Sequence, residues 1–171
     1  MTELRTERLI LRRARPADLE AIHAVLSDER VMLYWSSAPH ATLDESRAWL
    51  ESMIDSPPEL SDDFVVTLDG QVIGKLGTWR LPEIGFAIRS DHWGKGYAAE
   101  AMRAFLDHIF DRPDVEFLVA DVDPRNTASL GLLTRFGFVE TGRAMSTWNT
   151  HIGECDSVYL RLDRSVWLSG G

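Results

Sequence analysis

Residues 83–110 read EIGFAIRSDHWGKGYAAEAMRAFLDHIF, and three kinds of sequence meet in them. EIGFAIR, residues 83–89, has the length and composition of a strand. SDHWGKGYA follows, with Gly94 and Gly96 on either side of Lys95. From Ala98 onward, Ala101, Met102, Phe105, Leu106, Ile109 and Phe110 recur at three- and four-residue steps, giving a wide apolar helical stripe.

A strand that runs through a glycine loop into a helix has a definite chemical capacity. Glycine lets main-chain N–H groups approach a ligand with no side chain between them. The first N–H groups of a helix lack intrahelical partners, and the helix dipole favours an anion there. Phosphate binding follows from the two together, while a plain turn accounts for the loop taken alone equally well. The spacing excludes the GxxxxGK(S/T) phosphate loop. In the GxGxxG dinucleotide pattern the third glycine would be Ala99. Alanine is tolerated there, but the pattern wants an acidic residue after a second strand, and Asp114 precedes its strand. The dinucleotide reading is weakened and stays open.

Working outward, LILRRA at residues 9–14 reads as a strand, and Pro16 suits the first turn of a helix with Leu19, Ile22 and Leu26 on one face. Thr42 and Glu45 form a capping box for a helix through Trp49, Leu50, Met53 and Ile54, stopped by Pro57-Pro58. Two β-rich runs between residues 64 and 79 flank Asp69-Gly70, the dipeptide preferred by a type I′ hairpin. VEFLVADV, residues 115–122, reads as a buried strand. Asn126 then caps a short helix that Gly137 ends. SVYLRL, residues 157–162, is at least one further strand. No repeat or linker divides the chain, so residues 1–171 are expected to form a single domain of mixed α and β (α+β) class around a central sheet.

Composition bounds the function. With 18 Lys and Arg against 27 Asp and Glu, the net charge of −9 argues against nucleic acid as a partner. The same field attracts amines. The N-terminal apolar run is too short for a signal core and no span reaches the length of a membrane helix, so no membrane association is expected. A single cysteine, Cys155, allows no intrachain disulfide and fits a cytoplasmic protein. His151 and Cys155 lack two further ligands for zinc, so no metal is expected. Cys155 has no evident base partner, and no GxSxG elbow supports serine chemistry.

Three segments in order carry a resemblance that spans nearly the whole chain: TERLILRRARPADLEAI at 6–22, IGFAIRSDHWGKGYAAEAM at 84–102, and DPRNTASLGLLTRFGFVETG at 123–142. Together they resemble the GNAT N-acetyltransferase superfamily, in its ribosomal-protein N-terminal acetyltransferase-like (RimJ/RimL-like) branch, which also acetylates many small amines. The resemblance implies a mostly antiparallel twisted sheet, splayed at the cofactor site and flanked by helices. It implies acetyl-coenzyme A as cosubstrate, and a primary amine, on a small molecule or a protein N-terminus, as acceptor. The family's Q/R-x-x-G-x-G/A loop falls on residues 93–98, with Trp93 at the first position in place of Gln or Arg.

By that resemblance, main-chain N–H groups of Gly94, Lys95, Gly96, Tyr97, Ala98 and Ala99 hold the pyrophosphate, and Lys95 either adds a charge or stays solvated. The pantetheine pairs with the strand of Phe86, Ala87 and Ile88, and an N–H near Ile88 polarises the thioester carbonyl. Glu83 is implied as the base, against a plain ion pair with Arg80. Asn126 contacts the pantetheine or only caps its helix. Ser129 is implied to point toward the sulfur, and since the tyrosine acid usual in the family is Leu133 here, Ser129 is the fallback catalytic acid or only orients the thiol. Trp35, Ser36 and Trp148 fall in the acceptor region, where Trp49, His40, Asn149 and His151 also lie in sequence. A homodimer is compatible with the resemblance. The alternative function is a non-catalytic acyl-coenzyme A sensor with the same fold.

Overall fold

The computed structural model describes residues 2–170, which form β1 (Glu3–Arg5), β2 (Leu9–Arg12), α1 (Leu19–Leu26), α2 (Leu43–Asp55), β3 (Asp62–Leu68), β4 (Gln71–Arg80), β5 (Glu83–Ile88), α3 (Tyr97–Phe110), β6 (Phe117–Val122), α4 (Thr127–Arg135), β7 (Val139–Thr150), β8 (Gly153–Asp163) and α5 (Arg164–Leu168). The strands make one eight-stranded sheet in the order β1-β2-β3-β4-β5-β6-β8-β7. Every neighbouring pair is antiparallel except β5 and β6.

Local signals set most of these elements. Asp69 and Gly70 take φ of +50° and +81°, as the type I′ turn between β3 and β4 requires. The Thr42 hydroxyl accepts from the Glu45 N–H at 3.2 Å, while Glu45 reaches back one residue further than a capping box would, to the Ala41 N–H. The Asn126 side chain accepts from the Ser129 N–H at 3.2 Å. After α4, the Gly137 N–H donates to the Thr134 carbonyl and the Phe138 N–H to the Leu133 carbonyl, a paired closure of the helix end.

The structure moves some boundaries. β2 stops at Arg12, because Arg13 turns its guanidinium to Asp62 at 2.7 Å and Pro16 opens a short 3-10 turn before α1. β6 begins at Phe117, not Val115. The largest element absent from the sequence reading is β7, which pairs along β8 with shifted register at two places.

Alternation along β3 sends Phe64 and Val66 to one face and Val65 to the other. On the first face they meet the α3 stripe, in which Ala101, Met102, Phe105, Leu106, Ile109 and Phe110 are all fully buried. At about 1.5–3 kcal/mol for each large side chain, that stripe is the principal anchor of α3. On the second face Val65 and Val72 pack with Ile22 and Leu26 of α1 and Leu50 of α2. Among the described residues no helix is long and apolar enough to cross a membrane.

Candidate active site

β5 and β6 run parallel but share a single register pair, Glu83 with Val119. The Val119 N–H donates to the Pro82 carbonyl at 3.0 Å. Beyond that point the strands part, and β5 keeps only its β4 neighbour. The Arg89 N–H donates to Ile73 on the β4 side at 2.8 Å. Strand alternation therefore turns the main-chain groups of Ile88 to the opposite edge, into the gap. The Ile88 carbonyl already accepts there from the Trp93 indole N–H at 2.7 Å, leaving its N–H, together with the main chain of Phe86, to face that edge.

The glycine loop sits at the end of β5. Gly94 and Gly96 have φ of +72° and +82°, a conformation that L side chains resist, and Gly96 caps α3. The loop is held from outside: the Arg8 guanidinium donates to the Lys95 carbonyl at 2.9 Å and pairs with Glu100 at 2.7 Å. The Lys95 ammonium folds back over its own loop toward the Asp91 carbonyl at 3.4 Å. The main chain, not this ammonium, presents the donors at the helix start.

A cavity of about 470 Å³ opens where the strands part. Glu83 and Phe86 of β5 line it, with Asp121 of β6, Asn126 and Ser129 at the head of α4, Trp35 and Ser36, and Trp148 of β7. The segment carrying Trp35 has no helix or strand of its own; buried Met32 anchors it, and the Trp35 N–H donates to the Met32 carbonyl. Trp148 follows a register shift in β7 where Ser146 takes φ +53° and its N–H donates to Asp156 at 2.8 Å. Such a bulge re-aims the side chains beside it.

Charge in the cavity is unevenly satisfied. Lys75 is fully buried and paired with Asp63 at 2.9 Å, and its ammonium also reaches the Gly85 carbonyl at 3.3 Å. Asp123 is held by Arg125 at 2.6 Å, which keeps its carboxyl below the usual range. Burial pushes the Glu83 carboxyl up, the Asp121 charge adds to that, and Arg80 opposes both. Asp121 accepts from the Trp148 indole N–H at 3.1 Å. A half-buried carboxyl with raised affinity for a proton, beside an open strand edge that presents an N–H, is suited to take a proton from an attacking group while charge on a carbonyl is stabilised.

The sequence pattern of the family described as the Acetyltransferase (GNAT) domain matches residues 8–139. The chain belongs to this family. Among its relatives, an uncharacterised N-acetyltransferase p20 of Bacillus licheniformis is 30% identical over 151 residues, covering 83% of this chain and 85% of that one. The fold superposes on a RimL ribosomal L7/L12 N-terminal acetyltransferase in complex with coenzyme A, with a TM-score of 0.86 at 17% identity over 96% of this chain and 99% of that one. It also superposes on the spermidine N-acetyltransferase of Vibrio cholerae in complex with coenzyme A and spermine, with a TM-score of 0.80 at 24% identity over 95% and 99%.

Within this GNAT acetyltransferase the cavity gathers Glu83, Phe86, Asn126, Ser129, Trp35, Ser36, Trp148 and Trp49. It does not gather all of the residues expected at the cofactor. Trp93, Gly94, Lys95, Gly96, Tyr97, Ala98 and Ala99 lie outside its lining, in the loop and the first turn of α3. Ala87 and Ile88 bury their side chains and offer only main-chain groups. Asn149 and His151 are exposed on the β7–β8 ribbon, and His40 hydrogen-bonds to Ser46 at 2.8 Å. Leu133, at the tyrosine position, is fully buried and lines the cavity. Sequence reasoning missed Asp121, Asp156, Tyr34, Trp79 and Lys75, which also line it. Asp121 had one signal, a lone carboxylate near the end of an otherwise apolar strand.

Proposed function

We propose that this acetyltransferase moves an acetyl group from acetyl-coenzyme A directly to a primary amine, on a small molecule or a protein N-terminus. The observation that carries this reading is the parting of β5 and β6 at Glu83, with the Ile88 N–H turned into the gap and the Glu83 carboxyl on the cavity. The residues fit the cosubstrate: one free strand edge, one loop with two left-handed glycines, and a helix start. Acetyl-coenzyme A, when bound, supplies an activated acyl group as a thioester.

Each residue has a distinct part. Main-chain donors at residues 94–99 hold the pyrophosphate. Phe86 and Ile88 pair through their main chain with the pantetheine, as a peptide adds to a sheet edge, while Ala87 keeps β5 on β4. Trp93 locks the strand end through Ile88. Asn126 spends its carbonyl oxygen on the helix cap, so its amide NH₂ is the group left to serve the ligand. Glu83 takes the proton of the incoming ammonium, directly or through a water, since an alkylammonium has a pKa of about 10.4. The Ile88 N–H stabilises negative charge on the acyl oxygen. Ser129 orients the sulfur, and no dedicated acid is assigned, because Leu133 carries no proton to give. Trp35, Ser36 and Trp148 contact the acceptor.

We place the protein in the cytoplasm on its cysteine usage, with neither nucleic acid nor membrane as a partner, and read the exposed β7 edge as the surface for a homodimer. The test is thiol release from acetyl-coenzyme A across a panel of amines and peptides. Release with at least one amine, strongly reduced in Glu83→Gln but only mildly reduced in Ser129→Ala, is the expected result. Tight cofactor binding with no release from any acceptor would replace this reading with that of an acyl-coenzyme A sensor.

A further inference from the structure

The acceptor end of the cavity is acidic and aromatic. Lys75 is committed to Asp63 at 2.9 Å, and Arg125 to Asp123 at 2.6 Å. Asp121 and Asp156 carry no ion pair among the described residues. Asp121 is held in place from β7, where the Trp148 indole N–H donates to it at 3.1 Å, so carboxylate and indole stand together on the cavity wall. Trp35 lines the same space. A carboxylate without an ion pair, on a wall that also carries indole rings, is a receptor for an alkylammonium, through charge and, for the part of the chain that reaches a ring face, through the ring quadrupole. Among the described residues that line the cavity the only cation is Lys75, already paired with Asp63, so an acceptor carboxylate finds no free cation in the lining.

We propose that Asp121 and Trp148 form a subsite for a second ammonium group, so that the acceptor is an aliphatic amine with another cationic centre along its chain. This rests on the acetyl-transfer reading and deepens it. One amine is delivered to Glu83 and loses its proton there, while the other stays charged against Asp121, with Asp156 adding to the negative field. The Asp121 charge also raises the Glu83 carboxyl, which agrees with the two lying close across the parted strands.

The test compares three acceptors of one chain length that differ only at the far end: butylamine, diaminobutane and γ-aminobutanoate, with an alanyl peptide amide as a fourth. The kcat/KM for diaminobutane is expected to exceed that for butylamine by roughly tenfold, with γ-aminobutanoate slowest. In Asp121→Asn the ratio of diaminobutane to butylamine falls toward one. Taking the ratio within each variant cancels any effect of the substitution on Glu83. Should Asp121→Asn fold poorly, Trp148→Leu on the exposed β7 ribbon is expected to lower the same ratio. Equal rates for butylamine and diaminobutane, an unchanged ratio in both variants, or faster turnover of the peptide amide would overturn the subsite and leave acetyl transfer standing. Absence of thiol release from all four would defeat both.

Discussion

The Arg8 guanidinium donates to the main-chain carbonyl of Lys95 at 2.9 Å, which ties the start of β2 to the glycine loop before α3. The same side chain pairs with Glu100 at 2.7 Å and lies over the Tyr97 ring at 4.5 Å. Arg8→Gln frees the loop on that side. Because the arginine is partly exposed, solvent screens the pair, and the loss is about 0.5–1 kcal/mol. The expected outcome is a KM for acetyl-coenzyme A raised roughly three- to fivefold, with kcat nearly unchanged. Equal loss in kcat would show that the loop does more than the cofactor-seating role proposed for it.

The base role proposed for Glu83 requires an ionised carboxylate, and burial and Asp121 both raise its carboxyl. The kcat/KM should therefore rise with pH through the Glu83 pKa, on the acid side of the profile. Glu83→Gln should cost about 10²–10⁴-fold and erase that rise. Asp121→Asn removes a charge that raises Glu83, so the rise should move to lower pH. A full pH profile of each variant checks both, and a shift to higher pH in Asp121→Asn would refute the coupling.

Asp62 joins three elements: it accepts from Arg13 at 2.7 Å, from His108 at 3.0 Å and from Arg112 at 3.3 Å. Burial alone would raise its carboxyl, yet hydrogen bonds from His108 and Arg13 hold it at about 2. Its folded pKa is depressed, so its stabilisation is present above the ordinary carboxyl value and lost as pH falls from about 4 toward 2. The amount is about 2 kcal/mol. Urea unfolding at a series of acidic pH values should show this loss in the native sequence, and a smaller slope in Asp62→Asn.

Gly74 of β4 stands opposite Ile88, and a Cβ there would lie 2.2 Å from the Ala87 carbonyl oxygen and 2.8 Å from the Ile88 side chain. Gly74→Ala must push β5 away from β4. The expected cost is about 1–3 kcal/mol by thermal or chemical denaturation, with acetyl-coenzyme A affinity falling at the same time. Preserved affinity in a destabilised variant would mean that β5 gives way elsewhere than at its open edge.

What the sequence revealed depended on where each signal was written. Asp69-Gly70, Asn126 and Gly137 meet local main-chain needs, and local needs are visible in a few residues. The α3 stripe was legible because one face meets a core and the other meets water. β7 was not, because its residues are mostly exposed on both faces and leave no alternation to read. Glu83 was legible as a single carboxylate, but Asp121 was passed over, and nothing marked the two as neighbours. Their meeting depends on β6 touching β5 at one register pair, and only folding brings them together. Trp148 was expected near an acceptor and lines the cavity, but its hydrogen bond to Asp121 spans β7 and β6 and has no local mark.

The junction at Glu83 separates two inheritances at one position. Its main chain lies at the one point where the halves of the sheet meet, through Val119 and Pro82, and any L-residue suited to a strand can supply that join. Its side chain is free of that duty and faces the cavity. The scaffold asks only for a strand main chain at this position, so under the proposed roles the chemistry could change through the side chains of Glu83 and Asp121 without rebuilding the architecture that holds them.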